Sequence, residues 1–311
     1  MNPKKVLVIS YSQTGQLRQL VSHFTKPLLN HESIELTFKT IEPRKSYPFP
    51  WDLMTFIDTF PEAIYMKPCK LKEFEEDSTE YDLIILAYQV WFLAPCIPVS
   101  SFLQSSWAKK VFKNKPVITL IGCRNMWIMA QEKMKKLLNE LEATLIDNVV
   151  LIDKGNSLET FITTPRWMLT GKKEPFCGLS GAGIDDNEII NSQRFGKALL
   201  QALCNNKEKE KKSLLYGLKA VEVNPKLIKS EKIGTKSFLI WGKLILKLGN
   251  QGSAKRKPVV MLYLIFLIAM IVTVVPMNMI IQTILRKINK EKIAQEKEFY
   301  ELPSKSGNER M

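Results

Sequence analysis

Between Ser10 and Gln16 the chain reads S-Y-S-Q-T-G-Q at the end of an apolar run, V-L-V-I. Ser10, Ser12 and Thr14 bring hydroxyl groups, Gly15 lets the backbone turn closely, and a helix opening near Gln16 begins with N–H groups that have no intrahelical acceptor. Hydroxyls and free amides at the end of a buried strand are equipment for gripping a phosphate. Two further loops carry polar and aromatic groups together: Y-Q-V-W-F-L-A-P-C-I-P from Tyr88 to Pro98, and G-C-R-N-M-W from Gly122 to Trp127. Other chemistries have little to work with. The two histidines, His23 and His31, fall in none of these loops, and the five cysteines are widely spaced without a C-x-x-C pair. That suits a reducing compartment and neither a zinc site nor a disulfide scaffold, and it leaves an imidazole-based metal site or triad little to work with.

The elements that must position these loops follow from the apolar pattern. Lys4 to Ser10 reads as a first strand, Leu17 to Leu29 as its helix, and Ile34 to Ile41 as an alternating flank strand. Tyr81 to Ala87 and Lys115 to Gly122 are continuous apolar runs, the mark of strands buried on both faces. Trp127 to Leu141 reads as a helix, Thr144 to Ile152 as a fifth strand, and Asn187 to Leu203 as a helix behind the start signal Asp185-Asp186. Between them, Pro48 to Trp51 and the short aromatic helix after it either pack on the sheet or wall a pocket. The long connection from Lys154 to Asp186 offers Arg166 and Trp167 either as substrate contacts or as part of a surface excursion. Five strands alternating with helices predict one α/β domain over residues 1–205. Its expected architecture is a doubly wound parallel sheet in the order 2-1-3-4-5, with the loops after strands one, three and four meeting where the order reverses.

The last third differs in charge and in hydropathy. Residues 201–311 hold 21 Lys+Arg against 9 Asp+Glu, so most of the +14 net charge lies there, away from the candidate site; this argues against a nucleic-acid domain. The run from Pro258 to Leu285 carries no charge and is flanked by Lys255, Arg256 and Lys257 on one side and by Arg286, Lys287 and Lys290 on the other. A bilayer span needs about 20 apolar residues, so the expectation is one transmembrane helix over 258–285, kinked or ended at Pro276. Residues 206–257 then read as a basic membrane-proximal linker facing anionic lipid. Within it, Trp241 sits either at headgroup depth, with Lys243 and Lys247 reaching outward, or in an ordinary packed helix. Residues 286–311 read as a polar tail. With no apolar signal at the N-terminus, the expected placement is a single pass in a bacterial inner membrane with the folded domain cytoplasmic.

Ser12, Gln13, Thr14, Gly15 and Gln16 resemble the first loop of the flavodoxin-like family, Ser/Thr-x-Thr-Gly-x-Thr, which surrounds the phosphate of FMN; here the loop stops at Gln16 without the closing threonine. The resemblance implies FMN as cofactor, with Ser10 beside that loop. It also implies Trp91 against the isoalloxazine, Tyr88 and Gln89 at its edge, and the backbone of Gly122 and Cys123 with the side chain of Asn125 at the pyrimidine. Trp91 has a second reading as a core residue. Arg124 either stabilises the reduced flavin near N1–C2 or makes a surface salt bridge, while Cys123 reads as a structural thiol.

Together with P-F-P-W at Pro48 to Trp51, G-C-R-N-M-W and the C-terminal apolar segment, the V-x-x-Y-S-Q-T-G-Q opening is similar to the bacterial dialkylresorcinol condensing enzymes. That family name implies condensation, but no Cys–His pairing is present and the residues imply redox work. The function expected on this resemblance is a membrane-anchored FMN-dependent oxidoreductase, with Trp91 and Arg124 as its catalytic residues, that oxidises a hydrophobic or aromatic cyclised precursor. The alternative is a non-catalytic flavodoxin-like scaffold or electron carrier serving a biosynthetic enzyme partner.

Overall fold

The computed structural model describes residues 3–29, 31–73, 79–274, 277 and 290–311. Strand β1 (Lys4–Ser10) lies between β2 (Ile34–Thr40) and β3 (Leu83–Trp91), both parallel to it, and β5 (Pro116–Cys123) and β6 (Thr144–Ile152) continue the sheet beyond β3. The two-residue strand β4 (Ala94–Pro95) folds back antiparallel on the end of β3. Leaving out that hairpin, the order β2-β1-β3-β5-β6 is the predicted 2-1-3-4-5.

Alternation along the strands builds two cores. Val6 and Val8 of β1, with Leu83, Ile85 and Ala87 of β3, face α1 (Gln16–Leu29) and α9 (Gln193–Cys204). Leu7, Ile9, Ile84 and Leu86 face the opposite way, toward α4 (Ile97–Leu103), α5 (Ser106–Phe112) and α6 (Ile128–Glu140). The helix expected over Asn187–Leu203 is divided at Ser192 into α8 (Asp186–Asn191) and α9. Against α1, α9 comes so close that a Cβ on Gly196 would sit 2.0 Å from the carbonyl oxygen of Phe24.

The C-terminal third is docked on this body. Residues Leu214 to Ala220 join the first core and Val221, Val223 and Ile228 the second, and Val150 of the edge strand β6 donates its N–H to Ala220 O at 2.9 Å. Helix α10 (Ile228–Lys247) packs on α3 (Phe60–Ile64) and α6, and α11 (Lys257–Val272) packs on α2 (Leu53–Asp58). Helix α12 (Lys290–Glu301) leads to a tail whose Ser304 hydroxyl reaches Asp147 on β6 at 2.7 Å and accepts from Asn148 N–H, also at 2.7 Å.

The transmembrane expectation is therefore corrected. No helix among the described residues is long and apolar enough to cross a membrane. Helix α11 has 16 residues, about 24 Å at 1.5 Å per residue against a hydrocarbon core of about 30 Å. Its Val260 and Tyr263 are buried in a cluster with Ile57, Phe60, Ile64 and Ile245, and Trp241 of α10 packs, tilted, on Tyr263 and Phe266 rather than at headgroup depth. The remainder of the expected span, residues 275–276 and 278–285 with Pro276, lies outside the described residues. Because Arg256 before the run and Ser304 after it are both anchored to the same body, a single pass with the tail on the far side is overturned, and with it the inner-membrane placement and the lipid partner.

Candidate functional site

The three loops expected to converge do so at the C-terminal ends of the strands. The N–H of Gln13 donates to Gln89 Oε1 at 3.2 Å, joining the first loop to the end of β3, and Gln89 is register partner to Gly122 on β5. From the flank, Gln13 Nε2 donates to Pro48 O at 2.7 Å, so the Pro48–Trp51 stretch closes over the same edge. Helix α7 (Thr160–Thr170) covers that stretch in turn, with Trp51 N–H bonded to Met168 O at 2.8 Å and Trp167 edge-on to Phe49.

In the first loop, Ser10, Ser12, Thr14 and Gly15 are partly exposed. Gly15 adopts φ +86°, a left-handed conformation that lets the chain enter α1, and a Cβ there would meet nothing within 4 Å. Ser12 Oγ accepts the N–H of Arg18 at 3.3 Å. Gln16 does something unforeseen: its amide makes two reciprocal hydrogen bonds with the backbone of Ile184, at 3.2 and 3.1 Å, and clamps the Ala182–Ile184 segment to the start of α1. Gly183 permits this, since at φ +95° a Cβ would lie 2.8 Å from Gln16 Nε2. On the other side of the clamp, Asp153 accepts from the N–H groups of Gly155 and Gly183 at 2.8 and 2.6 Å. Burial raises the Asp153 pKa, and those two N–H groups with Arg124 work against the rise.

Around Trp91 the structure places a closed aromatic cluster. Tyr11, Tyr47 and Trp51 meet its ring edge-on at centroid distances of 6.0, 4.9 and 5.7 Å, and the indole is 9 % exposed. Beyond it Phe92 and Leu93, both at positive φ, form the two-residue turn into β4, and Phe92 packs on Phe56 and Phe60. Tyr88 is fully buried on the α6 side of the sheet, where its hydroxyl donates to Gln131 Oε1 at 2.6 Å; it does not reach the loop edge.

Arg124 is tied to the segment that leads into α7. Its Nε donates to Thr160 Oγ1 at 2.8 Å and its Nη2 to Ser157 O at 3.3 Å, while the guanidinium lies 3.9 Å over the ring of Phe161. Burial pulls its pKa down to about 10, which leaves it a cation at neutral pH. Among the described residues these contacts include no salt bridge for Arg124. Asn125 donates to Ser157 and Thr160 at 3.3 Å, and its buried Oδ1 has no hydrogen-bond partner among the described residues. Gly122 is packed by Ile184 and Leu17. Burial pushes the Cys123 thiol well up, and Glu231 and Asp153 add to the effect, which disfavours the thiolate. Arg166 is engaged with Lys172 O and Glu174 O and lies over Phe176. No group of three metal-ligating side chains exists among the described residues.

The fold is flavodoxin-like. That statement rests on the strand order and on the loops it brings together. Among similar solved structures are a flavoprotein from Bacteroides uniformis, with 16 % identity over 49 % of this chain and 92 % of that one and a TM-score of 0.36, and a flavoprotein from Lactobacillus acidophilus in complex with FMN, with 14 % identity over 48 % and 93 % and a TM-score of 0.37. A flavodoxin from the domain Archaea shares 9 % identity over 64 % of this chain and 99 % of its own, with a TM-score of 0.36. No protein-family profile and no curated protein matches the sequence. The narrower likeness to dialkylresorcinol condensing enzymes is set aside, because it leaned on a membrane helix that the described residues do not contain. The membrane-anchored oxidoreductase read from it, with its hydrophobic substrate, goes too.

Proposed function

We propose that this chain is a flavodoxin-like FMN-binding electron carrier. The observation that supports the reading is the Ser10–Gln16 loop: hydroxyls, a left-handed Gly15 and the N-terminus of the 14-residue helix α1, all at the point where the strand order reverses. Thr14, Ser10 and the first amides of α1 would hold the phosphate. Gln89 and the unpartnered Oδ1 of Asn125 supply polar groups for the edge of a flat ring, Asn125 Oδ1 being an acceptor that lacks a donor. Trp91, supported on three sides by other rings, serves as a wall rather than a mobile catalytic group.

FMN, when bound, supplies one- and two-electron transfer. Among the described residues, neither histidine reaches the three loops. His31 lies in the turn between α1 and β2 at the other end of the strands, His23 faces Gln193, and Tyr88 and Cys123 are held neutral by burial. This favours a carrier over a catalyst.

The test is a titration of the full chain with FMN, followed by quenching of flavin fluorescence. Saturable binding is expected, and Thr14→Val should weaken it by about 10- to 100-fold, the loss of one hydrogen bond to a charged acceptor, about 1.5–3 kcal/mol. A folded chain without saturable quenching overturns FMN binding. The carrier role predicts that photoreduced flavin passes electrons to ferricyanide, whereas reduction by NADH or NADPH alone with turnover on a quinone overturns it.

A further inference from the structure

A cavity of about 680 Å³ opens beside the aromatic cluster, and none of its lining residues belongs to the three loops. One wall is the pairing of residues 42–44 with 70–72, where Arg44 N–H donates to Lys70 O at 2.9 Å and Arg44 Nε to Leu71 O at 3.2 Å. Arg44, Lys45 and Lys70, all exposed, line this side of the cavity. The opposite wall is the turn between α10 and α11. Gln251 Nε2 donates to Thr59 Oγ1 at 2.7 Å, Gly252 N–H to Asp58 Oδ2 at 2.6 Å, and the fully buried Arg256 to Asp58 O and Glu62. The adjacent Lys257, also exposed, lines the same opening.

The charge here is unbalanced. Lys45, Lys70 and Lys257 have no ion pair among the described residues, and Arg44 has only an exposed contact to Glu73 at 3.9 Å. Two carboxylates among the described lining residues offset part of this charge and are themselves hydrogen-bonded. Asp52 caps α2 through the N–H and hydroxyl of Thr55, and Asp58 is held by Gly252 and by Arg256 Nε at 3.0 Å. Four exposed cations against two carboxylates make the described lining net positive, and a positive concave surface attracts an anion. The floor is apolar, formed by Tyr47, Met54 and Val260, and the volume falls in the range of small-molecule sites.

We propose that this cavity binds a phosphorylated small molecule of nucleotide size, with the phosphates among Arg44, Lys45, Lys70 and Lys257 and the body on Tyr47, Met54 and Val260. The proposal does not rest on FMN binding. The probes are ADP and inorganic pyrophosphate, titrated calorimetrically into the full chain at near-physiological salt, where loose polyanion binding is screened. Saturable one-to-one ADP binding is expected, at least about tenfold tighter than pyrophosphate. The Lys70→Gln/Lys257→Gln double variant should weaken ADP by about tenfold or more. Lys229→Gln/Lys236→Gln, the same charge change on the exposed side of α10, should leave it unchanged, and so should Thr14→Val. The absence of saturable ADP binding overturns the site. Equal loss in both double variants reduces it to general polycation binding, pyrophosphate as tight as ADP removes the nucleotide-sized ligand, and loss in Thr14→Val puts ADP in the loop above α1; each of these overturns the proposal.

Discussion

Ser304 Oγ lies 2.7 Å from Asp147 Oδ1, so a residue 157 positions further along the chain completes the polar shell of a fully buried carboxylate on the edge strand. Ser213 donates to the same oxygen at 2.6 Å, and the N–H groups of Leu214 and Leu215 donate to the other at 2.7 and 3.2 Å. Burial still raises the Asp147 pKa to about 6, with these four bonds opposing the rise. A carboxyl whose folded pKa is raised takes up protons on folding, so its charged form lowers stability as pH rises from the unfolded value, near 4, through 6. Asp147→Asn keeps an acceptor and removes the charge; it should match the parent at pH 4 and be more stable by about 1–3 kcal/mol at pH 7.5. Asp147→Ala should destabilise at both pH values, since it strands buried donors. Urea unfolding at the two pH values checks this, and an Asn variant less stable than the parent at pH 7.5 contradicts it.

The crossing of α1 and α9 gives a second expectation. Alanine is the better helix former by about 1 kcal/mol, yet Gly196→Ala places a methyl group 2.0 Å from Phe24 O and 3.0 Å from Pro27 Cδ. Overpacking at a contact with backbone should win and lower stability by about 1–3 kcal/mol. A denaturant midpoint at or above that of the parent would show that the two helices can part freely.

The sheet was legible because parallel strands buried on both faces are written as unbroken apolar runs, as in Leu83 to Ala87 and Val117 to Ile121. The loops were legible because they follow those runs. What composition cannot show is which partner a side chain meets across the chain. The apolar run after Pro258 reads the same whether Tyr263 faces lipid or, as here, Phe60 of α3 at 4.3 Å. Trp91 gains its neighbours Tyr11, Tyr47 and Trp51 from two other segments, and Arg124 finds Thr160 thirty-six residues on. The Gln16 clamp depends on Gly183, whose surroundings G-L-S-G-A-G-I resemble no nucleotide fingerprint and carry no local signal.

Because Arg124 is tied to Ser157, Thr160 and Phe161, it should contribute to packing rather than to cofactor electronics. On the FMN reading, Arg124→Gln should lower stability by about 1–3 kcal/mol through the lost hydrogen bonds of a buried charged donor. The flavin potential should move by less than about 30 mV, which is about 1.4 kcal/mol for a two-electron couple. Potentiometric titration of both proteins separates the two effects, and a larger downward shift would return Arg124 to the cofactor.

Removing the Gln16 amide in Gln16→Ala leaves both the N–H and the carbonyl of Ile184 without their partner, and Ile184 is buried. Each orphaned group costs about 1–3 kcal/mol if it stays buried, so the segment is expected to open locally instead. Hydrogen exchange should speed up across residues 180–186, with β1 and β3 protected as in the parent. Unchanged exchange in that segment would mean that Asp153 alone holds it.

Glu231 links α10 to the third loop. It is fully buried, and its Oε2 accepts the N–H of Met129 at 3.0 Å in the first turn of α6, immediately after the Gly122–Trp127 loop. Burial raises its pKa to about 8, while the backbone N–H groups of Met129, Ile128 and Trp127 favour the charged form and limit the rise. The sign follows as for Asp147: the folded state holds the proton, so stability attributable to Glu231 is greatest below pH 4.5 and falls as pH rises through 8. Glu231→Gln retains an oxygen for Met129 N–H and never ionises. Its advantage over the parent should be under about 1 kcal/mol at pH 5 and should grow by more than about 1 kcal/mol by pH 9. Glu231→Ala should instead be less stable at pH 5, because the first turn of α6 loses its acceptor, by about 1 kcal/mol or more. Comparing variant with parent at each pH cancels the titration of Asp147, which both proteins share. Cys123 provides an independent readout, since Glu231 helps push its thiol up. In Glu231→Gln the thiol pKa should fall and alkylation by iodoacetamide at pH 9 should quicken. A stability difference that stays flat from pH 5 to pH 9, with unchanged alkylation, would mean that Glu231 is charged throughout and that the α6 N-terminus outweighs its burial.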